Sequence, residues 1–199
     1  RMYQWNDVSW NQLGSDIYGK SHGSKSGGGH DGQAITPLSL NHTGRIVAIG
    51  SPLNDDNGTD TGLVRIFQWN DTSWNQLGET IYGESVDDKF GWSVSLNRSG
   101  DVIIIGGPDN DAGGSNSGHA RVYQYDGSWN QLGEDIDGDT NDDLQGKAAS
   151  INDSGNIVAV GAVRGDGGGG DSGHVRVYEY NDISWNQLGQ DIDGESSTD

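Results

Sequence analysis

The sequence contains no cysteine. Neither a disulfide framework nor a thiolate metal site can form, so the fold must be held by its own core. Basic residues are scarce, 11 Lys and Arg against 30 Asp and Glu, for a net charge of -19. Such a surface repels nucleic acid phosphates and anionic membranes and suits solubility, high salt or cations. No apolar run approaches the roughly 18 residues of a bilayer span, so no membrane insertion is expected. No secretory signal pattern stands at the start. The chain opens at Arg1-Met2-Tyr3 in mid-repeat, as a mature form or a segment of a longer protein would. Hydrophobic residues make up only 31 % of the whole, which raises the question of disorder. Two features answer it. The apolar residues gather in short dense runs, and seven Trp and seven Tyr recur at regular spacing, whereas disordered chains are poor in aromatics.

What is present is a repeat. Ser9-Trp10-Asn11-Gln12-Leu13-Gly14 returns at Ser73 to Gly78, Ser128 to Gly133 and Ser184 to Gly189. The tryptophans Trp10, Trp74, Trp129 and Trp185 stand 64, 55 and 56 residues apart. The first interval is long because of a Gly/Ser/His stretch, Lys20 to Gly32; without it the period is 55 to 56. Periods in this range indicate propellers or solenoids. Within a unit, Ser93 to Leu96 alternates and ends at the turn Asn97-Arg98-Ser99-Gly100. Asp101 to Gly106 is a continuous apolar run, as for a strand buried on both faces, with counterparts Ile46 to Ile49 and Ile157 to Val160. A Gly-rich loop leads to Ala120 to Tyr125, and a turn at Asp126-Gly127 leads into Trp129 to Leu132. No helical period is sustained anywhere. The reading is an all-β chain of β-propeller blades, four antiparallel strands each. Residues 1–19 supply the outer strands of a partial blade, 20–83 a blade with the insertion, 84–138 and 139–194 two further blades, and 195–199 the start of a following link. About three and a half blades do not close a ring, which needs about four to eight. Closure is therefore expected from a longer chain or, failing that, from a multi-chain assembly or filament.

Phe90-Gly91, the run ending Gly106-Gly107-Pro108, and Gly118-His119-Ala120-Arg121-Val122-Tyr123 together resemble the FG-GAP repeat family of β-propellers. Gly50-Ser51-Pro52, Gly161-Ala162-Val163, Gly62 to Phe67 and Gly173 to Tyr178 repeat the pattern. The family includes the propeller of integrin α subunits and many secreted microbial and algal proteins. The resemblance implies an extracellular adhesion or structural module. The family's Asp-rich calcium loop lies between the first two elements; here that connection is only Asn97-Arg98-Ser99-Gly100-Asp101, so the site is not carried over.

Several recurring columns are candidate sites. Asp55, Asp111 and Asp166 share one place in the loop after the buried strand, and Asp60, Asn116 and Asp171 follow five residues on. Side chains of this kind brace loops by bonding backbone N–H groups. The alternative is calcium, a hard cation that takes carboxylate and backbone oxygens. A second acidic column pairs Glu84, Asp87 and Asp88 with Asp139, Asp142 and Asp143. Trp10, Trp74, Trp129 and Trp185 are expected to fill one inter-blade slot; the competing reading makes them sugar-stacking platforms of a lectin. Arg65, Arg121 and Arg176 are expected to pair with a carboxylate or stack on a ring inside the blade. His22 and His30 flank the insertion, His119 and His174 recur with Leu63 in their place in the first unit, and Arg164-Gly165-Asp166 spells an integrin-binding tripeptide. Asn-x-Ser/Thr sequons occur at Asn41, Asn57, Asn70, Asn97 and Asn152; Asn41, Asn97 and Asn152 share one turn, read as exposed and open to glycans.

Enzyme chemistry finds no support: no nucleophile elbow, Walker or dinucleotide fingerprint is present. The expected function is a non-catalytic extracellular structural, adhesion or protein-interaction module. Its partners would be proteins or copies of itself, with glycans a further class and no nucleic acid. No cofactor is required, calcium being the one that the pattern accommodates. A carbohydrate-binding propeller is the alternative, and a glycoside-acting hydrolase a more distant one.

Overall fold

The computed structural model describes residues 1–20, 37–166 and 169–196. His22, His30 and most of the Gly/Ser/His insertion lie outside them. Every element among the described residues is a strand. A short hairpin, β1 (Tyr3–Trp5) and β2 (Trp10–Gln12), comes first. Three larger antiparallel sheets follow. The first holds β3 (Leu38–Leu40), β4 (Ile46–Ser51), β5 (Leu63–Trp69), β6 (Trp74–Gln76) and β7 (Ile81–Tyr82). The second holds β8 (Ser93–Leu96), β9 (Val102–Gly107), β10 (His119–Tyr125), β11 (Trp129–Gln131) and β12 (Ile136–Asp137). The third holds β13 (Gln145–Ile151), β14 (Ile157–Ala162), β15 (His174–Tyr180), β16 (Trp185–Gln187) and β17 (Ile192–Asp193).

Each sheet is a propeller blade with its strands in chain order. The expected fourth strand is split. In the second blade β11 pairs with the end of β10 (Tyr123↔Gln131) and β12 with its start (Ala120↔Ile136). Gly133, at φ 78°, sits in the break, which turns the chain out of the ladder and returns it one step further along. Asp101 stays outside β9 because its carboxylate is tied into the preceding turn by Ser99 and by Asn97 Nδ2.

The core lies between blades. Along β9 the side chains alternate: Ile103 and Ile105 join Ala48, Val64 and Ile66 of the first blade, while Val102 and Ile104 join Val158 and Val160 of the third. This period of two along a run apolar at every position is what a strand between two neighbours requires. All six residues of β9 are buried. Met2 and Ile17 pack on the other side of the first blade, against Val47, Ile49 and Phe67.

Candidate functional site

The Ser-Trp-Asn-Gln-Leu-Gly hexad joins each blade to the one before. Trp74 Nε1 donates to the Leu13 carbonyl at 3.1 Å, Trp129 to Leu77 at 2.8 Å and Trp185 to Leu132 at 2.7 Å. The indole also takes the space above the preceding hexad's glycine: a Cβ on Gly78 would stand 2.7 Å from Trp129 Cδ1, and on Gly133 2.9 Å from Trp185 Cδ1. Trp129 is buried and Trp74 and Trp185 are half-buried. Only Trp10 is exposed, and around Gly189 a Cβ would meet nothing within 4 Å.

A second column carries charge. Arg121 Nε donates to Asp135 Oδ2 at 2.8 Å, and its terminal nitrogen pairs with Glu84 in the link from the preceding blade. Arg176 repeats the arrangement with Asp191 at 2.7 Å and Asp139 at 2.6 Å. Burial pushes the Asp135 carboxyl up, but His119, Arg121 and Gln131 outweigh it and hold it well below the usual carboxylate range. In the first blade Thr80 stands where Asp135 and Asp191 stand. Arg65 there stacks over Phe67 at 5.3 Å and donates to the Tyr18 carbonyl at 2.7 Å, while its buried Nε has no hydrogen-bond partner. Burial lowers its pKa. His119, fully buried, has Nδ1 3.4 Å from Asp135 and 3.8 Å from Glu84. Arg121 pairs with both of these carboxylates.

Among the calcium candidates, Asp55 Oδ1 accepts the Asp60 N–H at 2.8 Å, Asp111 Oδ1 that of Asn116 at 2.7 Å, and Asp166 Oδ1 that of Asp171 at 2.9 Å. Asp60, Asn116 and Asp171 all take positive φ, 46°, 49° and 58°, which Asp and Asn tolerate better than other residues with a side chain. In the second acidic column Asp88 and Asp143 are buried and cap their own turns, on Ser85 N–H and Thr140 N–H.

The shared turn of Asn41, Asn97 and Asn152 is not the exposed site expected. Asn41 and Asn97 are 7 % and 4 % exposed, and Asn152 is half-buried. Asn97 Oδ1 accepts the N–H groups of Gly100, Asp101 and Val102, and its Nδ2 donates to Ser99 and Asp101. The amide is the turn's internal template, and its burial leaves no room for a glycan at Asn41 or Asn97. Asn57 and Asn70 are exposed.

One cleft was not anticipated. It has a volume of about 480 Å³ and lies between the second and third blades, where the links 84–92 and 139–144 and the start of β13 meet the loops that follow β9 and β14. Lys89, Trp92, Lys147 and Arg164 line it. The signal was available in the repeat: Lys147 replaces Trp92, and Arg164 replaces Asp109, at equivalent places in successive units.

Comparison with known proteins agrees with this architecture. Residues 83–123 match the FG-GAP repeat family. No curated protein matches the chain. Among solved structures, a candidate 6-phosphogluconolactonase from Bacteroides uniformis is similar with a TM-score of 0.53 at 14 % identity, over 79 % of this chain and 40 % of that one. A hypothetical selenium-binding protein from Sulfolobus tokodaii is similar with a TM-score of 0.46 at 10 % identity, over 81 % of this chain and 43 % of that one. The chain thus spans about two fifths of each, and at 14 % identity the likeness to the first concerns the fold alone.

Proposed function

We propose that this β-propeller segment is a non-catalytic structural and protein-interaction module of the extracellular space or cell surface, joined by further blades of its own kind or by copies of itself. The observation that carries the reading is the contrast between two equivalent faces. Ala120 and Ile136 of the second blade are 0 % and 4 % exposed beneath the third, whereas Val175 and Ile192, their counterparts on the third, are 39 % and 62 % exposed among the described residues. An exposed apolar face of this kind marks an interaction surface. The recurring polar residues support the same reading, because the hexads and the arginine column act between neighbouring blades. Glycans at Asn57 and Asn70, and calcium at the Asp55, Asp111 and Asp166 loops, belong to this reading as additions to it. The repeated tryptophans favour packing over a lectin, since three of four have their indole N–H bonded to a neighbouring blade.

Sedimentation velocity on the 199-residue chain tests the association. Reversible self-association that is lost in Ile192→Asp is the expected result. A monomer at every concentration would remove the association between copies, and turnover of lactone or glycoside substrates above the buffer rate would overturn the non-catalytic reading. Surface biotinylation of source cells tests the location, and recovery only from the cytosol would remove the extracellular part.

A further inference from the structure

The cleft between the second and third blades is the feature that blade packing does not explain. In a chain of net charge -19 with 11 basic residues, three of them line this one cavity. Lys89 is paired with Asp109. Asp142, the other carboxylate at the rim, accepts Asn116 Nδ2 at 3.1 Å. Lys147 lies over the Trp92 ring at 4.1 Å. Arg164 is exposed and forms no ion pair among the described residues. Burial lowers the pKa of Lys147, Asp109 opposes this, and Lys89 and Arg164 lower it further, so the three cations feel one another.

The backbone is unusual at the same place. Lys89 and Leu144, equivalent residues of successive blades, have φ of 54° and 57°, a region that side chains other than Asn and Asp rarely enter. The left-handed residue opens a tight turn in each case, closed by Trp92 N–H on the Lys89 carbonyl and Lys147 N–H on the Leu144 carbonyl, both at 3.2 Å. These turns bring Lys89 and Trp92 of one blade to the same cleft as Leu144 and Lys147 of the next. Strained backbone of this kind collects at binding sites. Trp92, 2 % exposed, also leaves its indole N–H without a hydrogen-bond partner.

We infer that this cleft binds a small organic oxyanion, a carboxylate or phosphate carried on a sugar of roughly monosaccharide size. The oxyanion answers the cations, with Arg164 offering the planar fork that suits carboxylate and phosphate. The hydroxyls of a sugar answer Asp142 and Asn116, and Leu144, Val163 and the Trp92 ring form the apolar part of the wall. About 480 Å³ falls within the range of small-ligand sites. This inference stands apart from the proposed function, since it needs neither self-association nor an extracellular setting.

The test is an NMR titration of the full chain with glucuronate, glucose 6-phosphate and glucose. Saturable shifts at the Trp92 indole and the Lys147 amide are expected with the two anions and none with glucose. Tighter binding of glucuronate assigns the site to a sugar acid; tighter binding of glucose 6-phosphate assigns it to a sugar phosphate. Arg164→Ala and Lys147→Gln should each weaken binding about tenfold, as loss of one charged contact does. Arg45→Ala, remote from the cleft, should leave it unchanged. No saturable shift with either anion up to about 10 mM, the weak end of specific affinity, would overturn the inference. So would glucose binding as well as glucuronate, or a folded Arg164→Ala/Lys147→Gln double variant binding as the parent does.

Discussion

Asp135 gives the acid sensitivity of the molecule a specific origin. Its folded pKa lies below the unfolded value, so its contribution to stability is fully present above about pH 4 and is lost as the pH falls from there toward the folded value. Asp88 acts in the opposite sense: burial raises its pKa, and its ionisation penalty is relieved on acidification. Asp135→Asn should therefore lower the urea midpoint at pH 7, and the gap from the parent should shrink below about pH 4. A gap that stays constant from pH 7 to pH 3 would contradict this. Sequence reading left Arg121 to pair with a carboxylate or stack on a ring and did not identify Glu84 and Asp135, because one lies in the link and the other after a break in the outer strand. It went astray at Asn41 and Asn97 for a different reason. A sequon is read on the assumption that a polar amide in a turn faces water, whereas here the amide saturates its own turn's N–H groups, which a spacing cannot reveal.

At the scale of the element, the first blade lacks the carboxylate that the other two set beside the column arginine. Thr80 accepts Gln76 Nε2 at 3.3 Å, the role that Asp135 fills for Gln131, but it supplies no charge to Arg65. Thr80→Asp should restore the pair and raise stability by about 1.5–3 kcal/mol, the typical worth of a hydrogen bond to a charged group. Thermal or urea denaturation measures it, and a midpoint at or below the parent's would show that the first blade cannot adopt its neighbours' geometry. Strand positions were legible because the apolar strand pattern recurs in three units and the hexad occurs four times. The split of the fourth strand was not, since Leu132 to Asp135 carries no turn signature other than Gly133.

For the molecule as a whole, stability is carried by interfaces and not by blades. The second blade is covered on both sides; the third is covered on one among the described residues. Amide exchange should follow this difference, with Val122 and Tyr123 of β10 exchanging about tenfold more slowly or better than Val177 and Tyr178 of β15. Equal protection would mean that the blades unfold as one unit. Legibility at this scale ended where the repeat is broken. The periodic residues foretell what is shared between blades, and the cleft of Lys89, Lys147 and Arg164 arises from positions where the units differ.

The hexad has a consequence for how such a chain can change over generations. Each copy offers a knob, the indole, on one side and a socket, the leucine carbonyl and glycine, on the other. A tandem duplication of one 55-residue segment delivers a blade already fitted to its neighbours at both faces, with no compensating substitution needed elsewhere. Recombination between repeats can therefore alter blade number in a single event, while a point mutation at one glycine of the series damages one joint and leaves the rest intact.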